Sequence, residues 1–234
     1  MNSNSPDTPT CLVTGGTSGI GRETARLFAS NGYRVATCGR DAERLKDVQQ
    51  ELGAGHLVTR VDLLNVETTR RFGKEVVDEL GRIDVFVNNA AISPLAPFHE
   101  LDSDTFEETL NVNIRSPFHL TQIVWRKMIE QGSGVIVNMS SLAAVDPFPG
   151  FNIYGASKAW SDLLTTALGN EGQAHGIRTY SIRAGAVETP MLRKLFPDFP
   201  AEQCVSTLDI ANKILECVNN KHESGSHIVV ANQS

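Results

Sequence analysis

The chain has 234 residues, 41% hydrophobic and 21% charged, with 21 basic against 27 acidic residues and a formal net charge of −6. A chain this long buries about 70% of its unfolded surface without staples, so disordered, fibrous and disulfide-dependent classes are excluded. An acidic chain without a Lys/Arg cluster also lacks the electrostatic footprint of a nucleic-acid binder.

Residues 1–9 are polar and read as a loose tail before a single domain over 10–234. Thr10–Thr14 is a short apolar strand ending at glycines, 22–31 reads as a helix that stops at Asn31-Gly32, and 34–38 is a second strand. Asp41 caps a helix with Leu45, Val48 and Leu52 on one face, and Gly53 ends it. A third strand covers 56–61; Asn65 then opens a helix carrying Phe72, Val76 and Leu80 until Gly81. The fourth strand, 83–87, is a solid apolar run of the kind buried on both faces of a parallel sheet. A long helical region over 103–131 precedes a strand at 135–139, and a helix at 152–173 precedes a strand at 178–183. A last helix, 207–219, turns Ile210, Ile214 and Val218 inward before a final strand at 227–230. This alternation predicts an α/β fold: one Rossmann-type, doubly wound sheet of about seven parallel strands with helices on both faces.

Cys11, Cys38, Cys204 and Cys217 form no Cys-x-x-Cys pair, the six histidines show no ligand spacing, and no apolar run approaches the length of a bilayer span. Reduced thiols, no metal, no membrane and a cytoplasmic location are expected.

Thr14-Gly15-Gly16-Thr17-Ser18-Gly19-Ile20-Gly21 sits directly between the first strand and the first helix. Glycines there let the backbone turn tightly and approach a pyrophosphate, whose charge is favoured at the helix N-terminus. Gly15, Thr17, Ser18, Gly19, Ile20 and Gly21 are therefore candidate dinucleotide contacts, although the spacing differs from the standard Gly-x-Gly-x-x-Gly. The second strand ends in Cys38-Gly39-Arg40-Asp41, with glycine where an acid would favour NAD. Arg40 offers its charged fork to a 2′-phosphate, so NADP(H) is favoured, with NAD as the alternative.

Tyr154 and Lys158 are four residues apart, which places both on one face of a helix. Lowering a phenol from its pKa of ~10 by ~3 units takes roughly 4 kcal/mol. A nearby ammonium and a positively charged nicotinamide are the right kind of cause. Ser141 (with Ser140 as alternative), Asn88-Asn89-Ala90-Ala91 and Asn111-Val112-Asn113 all fall where strands end, the ligand side of an open α/β sheet.

On these motifs the chain resembles the short-chain dehydrogenase/reductase family over nearly its whole length, its 3-oxoacyl-thioester reductase-like members included. The resemblance implies hydride transfer between nicotinamide and a carbonyl or alcohol carbon of a small molecule. It assigns Asn113, Ser141, Tyr154 and Lys158 as the catalytic tetrad. Tyr154 would be the acid or base, Ser141 the donor to the substrate oxygen, Lys158 the anchor of the nicotinamide ribose, and Asn113 the holder of a relay water. It further implies cofactor contacts at Asp62 and Leu63, at Asn89, Ala90 and Ala91, and at Gly185, Val187, Thr189 and Met191. A homodimer or homotetramer is implied as well. Pro117, four residues after Asn113, has no N–H to close onto the Asn113 carbonyl; the result is either a relay site or a mere kink.

Ala184 stands where the family has proline, which predicts a loosened nicotinamide loop. Ile92, Phe98, Phe148, Phe151, Met191, Leu192 and Phe196 make the substrate region apolar, or merely cover the sheet ends. Glu188 and Arg193 are expected to meet a polar substrate or solvent. Trp160, Leu163, Leu164 and Leu168 are expected mostly in the core. The short stretch 190–206 predicts a small, open pocket. The alternatives to an oxidoreductase are a non-catalytic dinucleotide sensor, or an epimerase or dehydratase using a transient hydride.

Overall fold

The computed structural model describes residues 8–219 and 222–232, so the polar tail lies outside the described residues apart from Thr8 and Pro9. Its strands are β1 (Thr10–Thr14), β2 (Arg34–Gly39), β3 (Leu57–Arg60), β4 (Val85–Asn88), β5 (Gly134–Ser141), β6 (Ile177–Ala184) and β7 (Ser226–Val230). The helices are α1 (Gly19–Ser30), α2 (Ala42–Leu52), α3 (Val66–Leu80), α4 (Ser103–Leu110), α5 (Ser116–Gln131), α6 (Asn152–Gly172), α7 (Pro190–Leu195) and α8 (Thr207–Val218). All seven strands pair in parallel in the order β3-β2-β1-β4-β5-β6-β7. The order reverses between β1 and β4, which opens a crevice beyond their carboxyl ends.

The strands are apolar on both faces because helices cover both. Cys11 and Val13 point to one side, where Phe28 of α1 and Ile210 and Ile214 of α8 complete a core. Leu12 and Phe86 point to the other, against Phe72 and Val76 of α3 and Leu120 and Val124 of α5. Burying Phe28 or Phe72 in this way is worth about 2–3 kcal/mol each. Helix ends follow the capping residues: the Asp41 carboxylate accepts from the Glu43 and Arg44 amides, Asn65 accepts from Thr68, and Gly81 closes α3 in the left-handed conformation.

The structure departs from the sequence expectations at three places. The third strand is only four residues long, Leu57–Arg60, because His56 turns its ring inward and accepts from the Val35 amide at 3.1 Å. The helical region over 103–131 is two helices joined by a π-helical turn, Asn111–Arg115, in which the Ser116 amide reaches back to the Asn111 carbonyl. The segment after β6 folds into α7, started by the Thr189 hydroxyl accepting from the Leu192 amide at 3.2 Å. Among the described residues no helix is long and apolar enough to cross a membrane.

Of Trp160, Leu163, Leu164 and Leu168, only Leu168 packs against the core; none is fully buried, and Leu163 is 71% exposed. The inward face of α6 is instead polar and small, with Ser157, Ser161, Asp162 and Thr165 against β5 and β6.

Candidate active site

A single cleft of about 1310 Å³ runs along the carboxyl ends of the strands, from Arg40 after β2 to Phe196 after α7. At its centre the chain turns from β1 into α1. Gly15 takes φ +70°, and a methyl added to it would lie 3.1 Å from the Ala90 backbone. A methyl on Gly21 would meet the Gly15 carbonyl and the Asn89 side chain. Glycine is thus required by close packing of the turn on the segment after β4. Ser18 precedes α1 without capping it, so the first amides of that helix remain unclaimed by its side chain, and no acid stands in the first turn. Gly15, Thr17, Ser18, Gly19 and Ile20 line the cleft, whereas Gly21 packs behind it. This cradle and its uncapped helix start fit the pyrophosphate of a dinucleotide.

The asparagines after β4 hold the turn. Asn89 donates to the Thr14 carbonyl at 2.8 Å, and the Thr14 hydroxyl accepts from the Asn89 and Ala90 amides at 3.0 and 3.1 Å. Asn89, Ala90 and Ala91 all line the cleft, yet the Asn89 amide group is spent on the chain itself. Behind them a buried polar chain crosses the strand ends. Asn88 donates to Thr121 and to Asn138, and Asn138 donates to Thr165 at 2.8 Å. Sequence reading passed over this chain, because asparagine in an apolar strand carries no local signal of its partner.

At the far end Arg40 is exposed on the cleft, joined by Arg44 one turn into α2, a cation that sequence reading missed. The Arg40 guanidinium has no hydrogen bond or ion pair within the described residues, while its carbonyl accepts from Arg60 Nε at 3.1 Å. Asp62 and Leu63 also line this end; the Asp62 carboxylate accepts from the Leu64 amide at 3.0 Å.

Of the four candidate catalytic side chains, Ser141, Tyr154 and Lys158 line the cleft from β5 and α6, and Asn113 is buried outside its lining. Ser141 ends β5, where its hydroxyl accepts from the Ala143 amide at 3.2 Å and lies near enough to the Tyr154 phenol to favour its ionised form. Ser140, the alternative, points the other way: it is buried and lies 3.4 Å from the Lys158 carbonyl. Lys158 Nζ lies 5.7 Å from the centroid of the Tyr154 ring and donates to the Met139 carbonyl at 2.7 Å. Asn113 sits in the π-helical turn and is clamped three ways. Its amide donates to the Ile92 carbonyl at 2.9 Å and to Ser157 at 3.0 Å, and its oxygen accepts from the Ile92 amide at 2.9 Å. Asn113 thus fastens α4–α5 to the segment after β4 and to α6.

Titration differs from the sequence expectation. Burial pushes the Tyr154 phenol up, opposed by the Ser141 hydroxyl, so the chain alone does not lower it. Lys158 is 7% exposed, and burial brings its pKa down to about 8, opposed by the Asp162 carboxylate. Between pH 8 and 10.5 the unfolded chain therefore carries a lysine proton that the folded chain lacks, so stability rises with pH through that window. The gain from this residue is about 3 kcal/mol. Urea midpoints of the wild type and Lys158→Met, compared across the window, should show the wild type gaining on the variant; a constant difference would contradict the assignment.

Asp162, also overlooked in the sequence, lies one helical turn beyond Lys158 and is 5% exposed. It accepts from the Ser181 hydroxyl and from Arg183 Nε, the latter at 2.7 Å. This pair ties α6 to β6 beneath the site. The loop after β6 is held as well: Gly185 donates to the Val230 carbonyl at 2.9 Å, and Val187 bridges to Val205. Ala184 itself pairs with Ser141 and Val230, so the loosening expected from a missing proline is countered by the sheet. Gly185, Val187, Thr189 and Met191 all line the cleft.

On the substrate side Phe151 is buried between Tyr154 and Phe196, with ring centroids 5.4 and 6.1 Å away, and Phe148 stands 6.2 Å off at the mouth. Phe98, in contrast, is 79% exposed and outside the cleft. Glu188 and Arg193 face neither substrate nor open solvent alone: they form a two-pronged ion pair with each other. The stretch 190–206 is a wall rather than an opening, since Leu192, Leu195, Phe196 and Phe199 line the cleft from it.

The family described as short chain dehydrogenase matches residues 9–199. The chain is 34% identical to carbonyl reductase (NADPH) 2 of Sus scrofa over 94% of this chain and 93% of that protein. It is 38% identical to the 3-oxoacyl-acyl-carrier-protein reductase FabG of Thermotoga maritima, covering 86% of this chain and 82% of the relative. The solved structure of a 3-ketoacyl-(acyl-carrier-protein) reductase from Brucella melitensis complexed with NADH superposes with a TM-score of 0.88 at 26% identity, over 97% of this chain and 98% of that one. Fold, sequence match and crevice agree, and the chain belongs to the short-chain dehydrogenase/reductase family, as an NAD(P)-dependent oxidoreductase acting on CH–OH and C=O groups.

Proposed function

We propose that the chain interconverts a small carbonyl compound and its alcohol with NADP(H), using Tyr154 as general acid in reduction and base in oxidation. The observation that carries this reading is the Ser141–Tyr154–Lys158 cluster facing the same cleft as the glycine turn. Bound nicotinamide supplies or accepts the hydride. Ser141 and Tyr154 both line the cleft, and their hydroxyls are the donors for a substrate oxygen that gains negative charge during reduction. Tyr154 gives that oxygen its proton, and Lys158 lies behind it to hold the ribose and replenish the proton. Asn113 keeps this back wall in register, and Pro117 leaves no N–H to close onto its carbonyl, where a relay water would be held. Val187 and Thr189 offer backbone and hydroxyl to a carboxamide. A dinucleotide sensor would have no need of Tyr154 beside Ser141 in the cleft.

The preference for NADP rests on Arg40, whose guanidinium has no partner within the described residues, and on Arg44 beside it. A charge-assisted contact to a 2′-phosphate is worth about 1.5–3 kcal/mol. Arg40→Ala should therefore weaken NADPH binding about 10- to 100-fold in a fluorescence titration while leaving NADH unchanged. Equal losses for both cofactors would remove the phosphate assignment. Assembly as a homodimer or homotetramer belongs to the same reading, through the region of α4 to α6 where Phe106, Phe118 and Leu163 are exposed.

A further inference from the structure

We infer that the substrate is an uncharged, apolar carbonyl compound, and that the Glu188–Arg193 pair excludes anionic substrates by withholding a cation from the pocket. This rests on the carbonyl reductase reading and refines it. Three observations lead there.

The wall beside the reacting hydroxyls is aromatic. Tyr154, Phe151 and Phe196 are in ring contact in that order, Phe148 extends the row to the mouth, and Leu192 and Leu195 line the same side. Such a wall stabilises an apolar or aromatic body next to the carbonyl carbon.

The pocket also lacks a cation for an anion to meet. Among the described residues lining the cleft, the cations are Arg40, Arg44 and Lys158. Arg40 and Arg44 stand beyond the end of β2, three strands away from β5 and Ser141, or about 14 Å at ~4.8 Å per strand. Lys158 is buried behind Tyr154 with its ammonium on the Met139 carbonyl. The charged residues that line the rest of the cleft, away from the β2 end, are Glu108, Asp146 and Glu202, all acids and all exposed.

Arg193, on the helix that carries the wall, is absent from the cleft lining and is already engaged. Arg193 follows Thr189 by one helical turn, with its amide donating to the Thr189 carbonyl at 3.1 Å. Its Nε donates to Glu188 Oε1 at 2.8 Å, its Nη2 pairs with the other carboxylate oxygen, and its Nη1 donates to the Phe199 carbonyl at 2.5 Å and the Pro197 carbonyl at 3.3 Å. All three guanidinium nitrogens are engaged in pinning the wall that carries Phe196 and Phe199 to the loop that carries Val187. A carboxylate entering this pocket would lose hydration without gaining a partner.

The test uses a matched pair of 3-oxo compounds that differ in charge: ethyl benzoylacetate and benzoylacetate, each assayed by NADPH oxidation with the purified chain. The neutral ester is expected to have a kcat/KM about 100-fold above that of the carboxylate, the size of discrimination that an unpaired buried polar group produces. Glu188→Gln, which releases the Arg193 fork, should lower that ratio about tenfold whatever happens to overall activity. The doubly substituted Asp146→Asn/Glu202→Gln, confined to exposed positions, should lower it about threefold and serves if Glu188→Gln does not fold. Benzoylacetate reduced within threefold of the ester, or a ratio that stays put in every folded variant, overturns the charge account while leaving the reductase reading intact. NADPH binding without oxidation by either compound, or by cyclohexanone, overturns the reductase reading and this refinement with it.

Discussion

Tyr154→Phe should lower kcat for carbonyl reduction about 1,000-fold, within the span that a positioned general acid supplies, with NADPH affinity held within about threefold. The phenol shares the cleft with Ser141 and packs against Phe151 at the start of the aromatic wall. Phenylalanine keeps the ring and its contacts and removes only the hydroxyl. Stopped-flow NADPH oxidation with the wild type and the variant, alongside a cofactor titration, separates chemistry from binding. A variant that retains a tenth of wild-type kcat would show that the proton comes from elsewhere, and the tetrad assignment would go with it. A variant that loses NADPH binding in parallel would make Tyr154 a binding residue first.

Gly21→Ala should destabilise the chain by about 2–3 kcal/mol and weaken NADPH binding at least about 100-fold. A methyl there meets the Gly15 carbonyl from one side and Asn89 from the other, and Asn89 is the side chain that donates to the Thr14 carbonyl. The turn can accommodate the methyl only by moving away from the segment after β4, which displaces the amides that face a pyrophosphate. For a chain of this length the unfolding midpoint should fall by about 5–10 °C. Gly32→Ala is the control: Gly32 has φ +83° with nothing within 4 Å of an added methyl, so the cost is about 1 kcal/mol of backbone strain alone. NADPH affinity should stay at the wild-type value in that control. If Gly21→Ala melts lower yet binds NADPH normally, the glycine serves packing only.

What was legible in the sequence was whatever is encoded within a few residues. The strand–turn–helix at Thr10–Ser30, the caps at Asp41 and Asn65 and the left-handed stop at Gly81 are local, and their residues carry the signal. The π-helical turn was not legible, since its stabilising contact joins Asn113 to Ile92 across 21 positions. Leu163 and Trp160 were misjudged for a related reason: the face of α6 that meets the sheet is chosen by partners such as Asn138 and Ser181, which accept small and polar residues there. The helix α7 could have been found, since threonine followed by proline is a helix start. The pairing of Glu188 with Arg193 could not, because five positions apart on a loop entering a short helix has no fixed geometry.

The bond from Gly185 to the Val230 carbonyl and the bridge from Val187 to Val205 bear on the order in which this molecule comes into being. During vectorial synthesis the glycine turn, Ser141, Tyr154 and Lys158 all leave the ribosome before the strand and the loop that would hold the nicotinamide side under the proposed function. A nascent chain ending after α6 carries the reacting side chains without the scaffold that would position a cofactor over them. Parallel pairing over such distances along the chain is also slow to form. Competence to turn over substrate is therefore set by the arrival of β7, the edge strand that carries none of the chemistry.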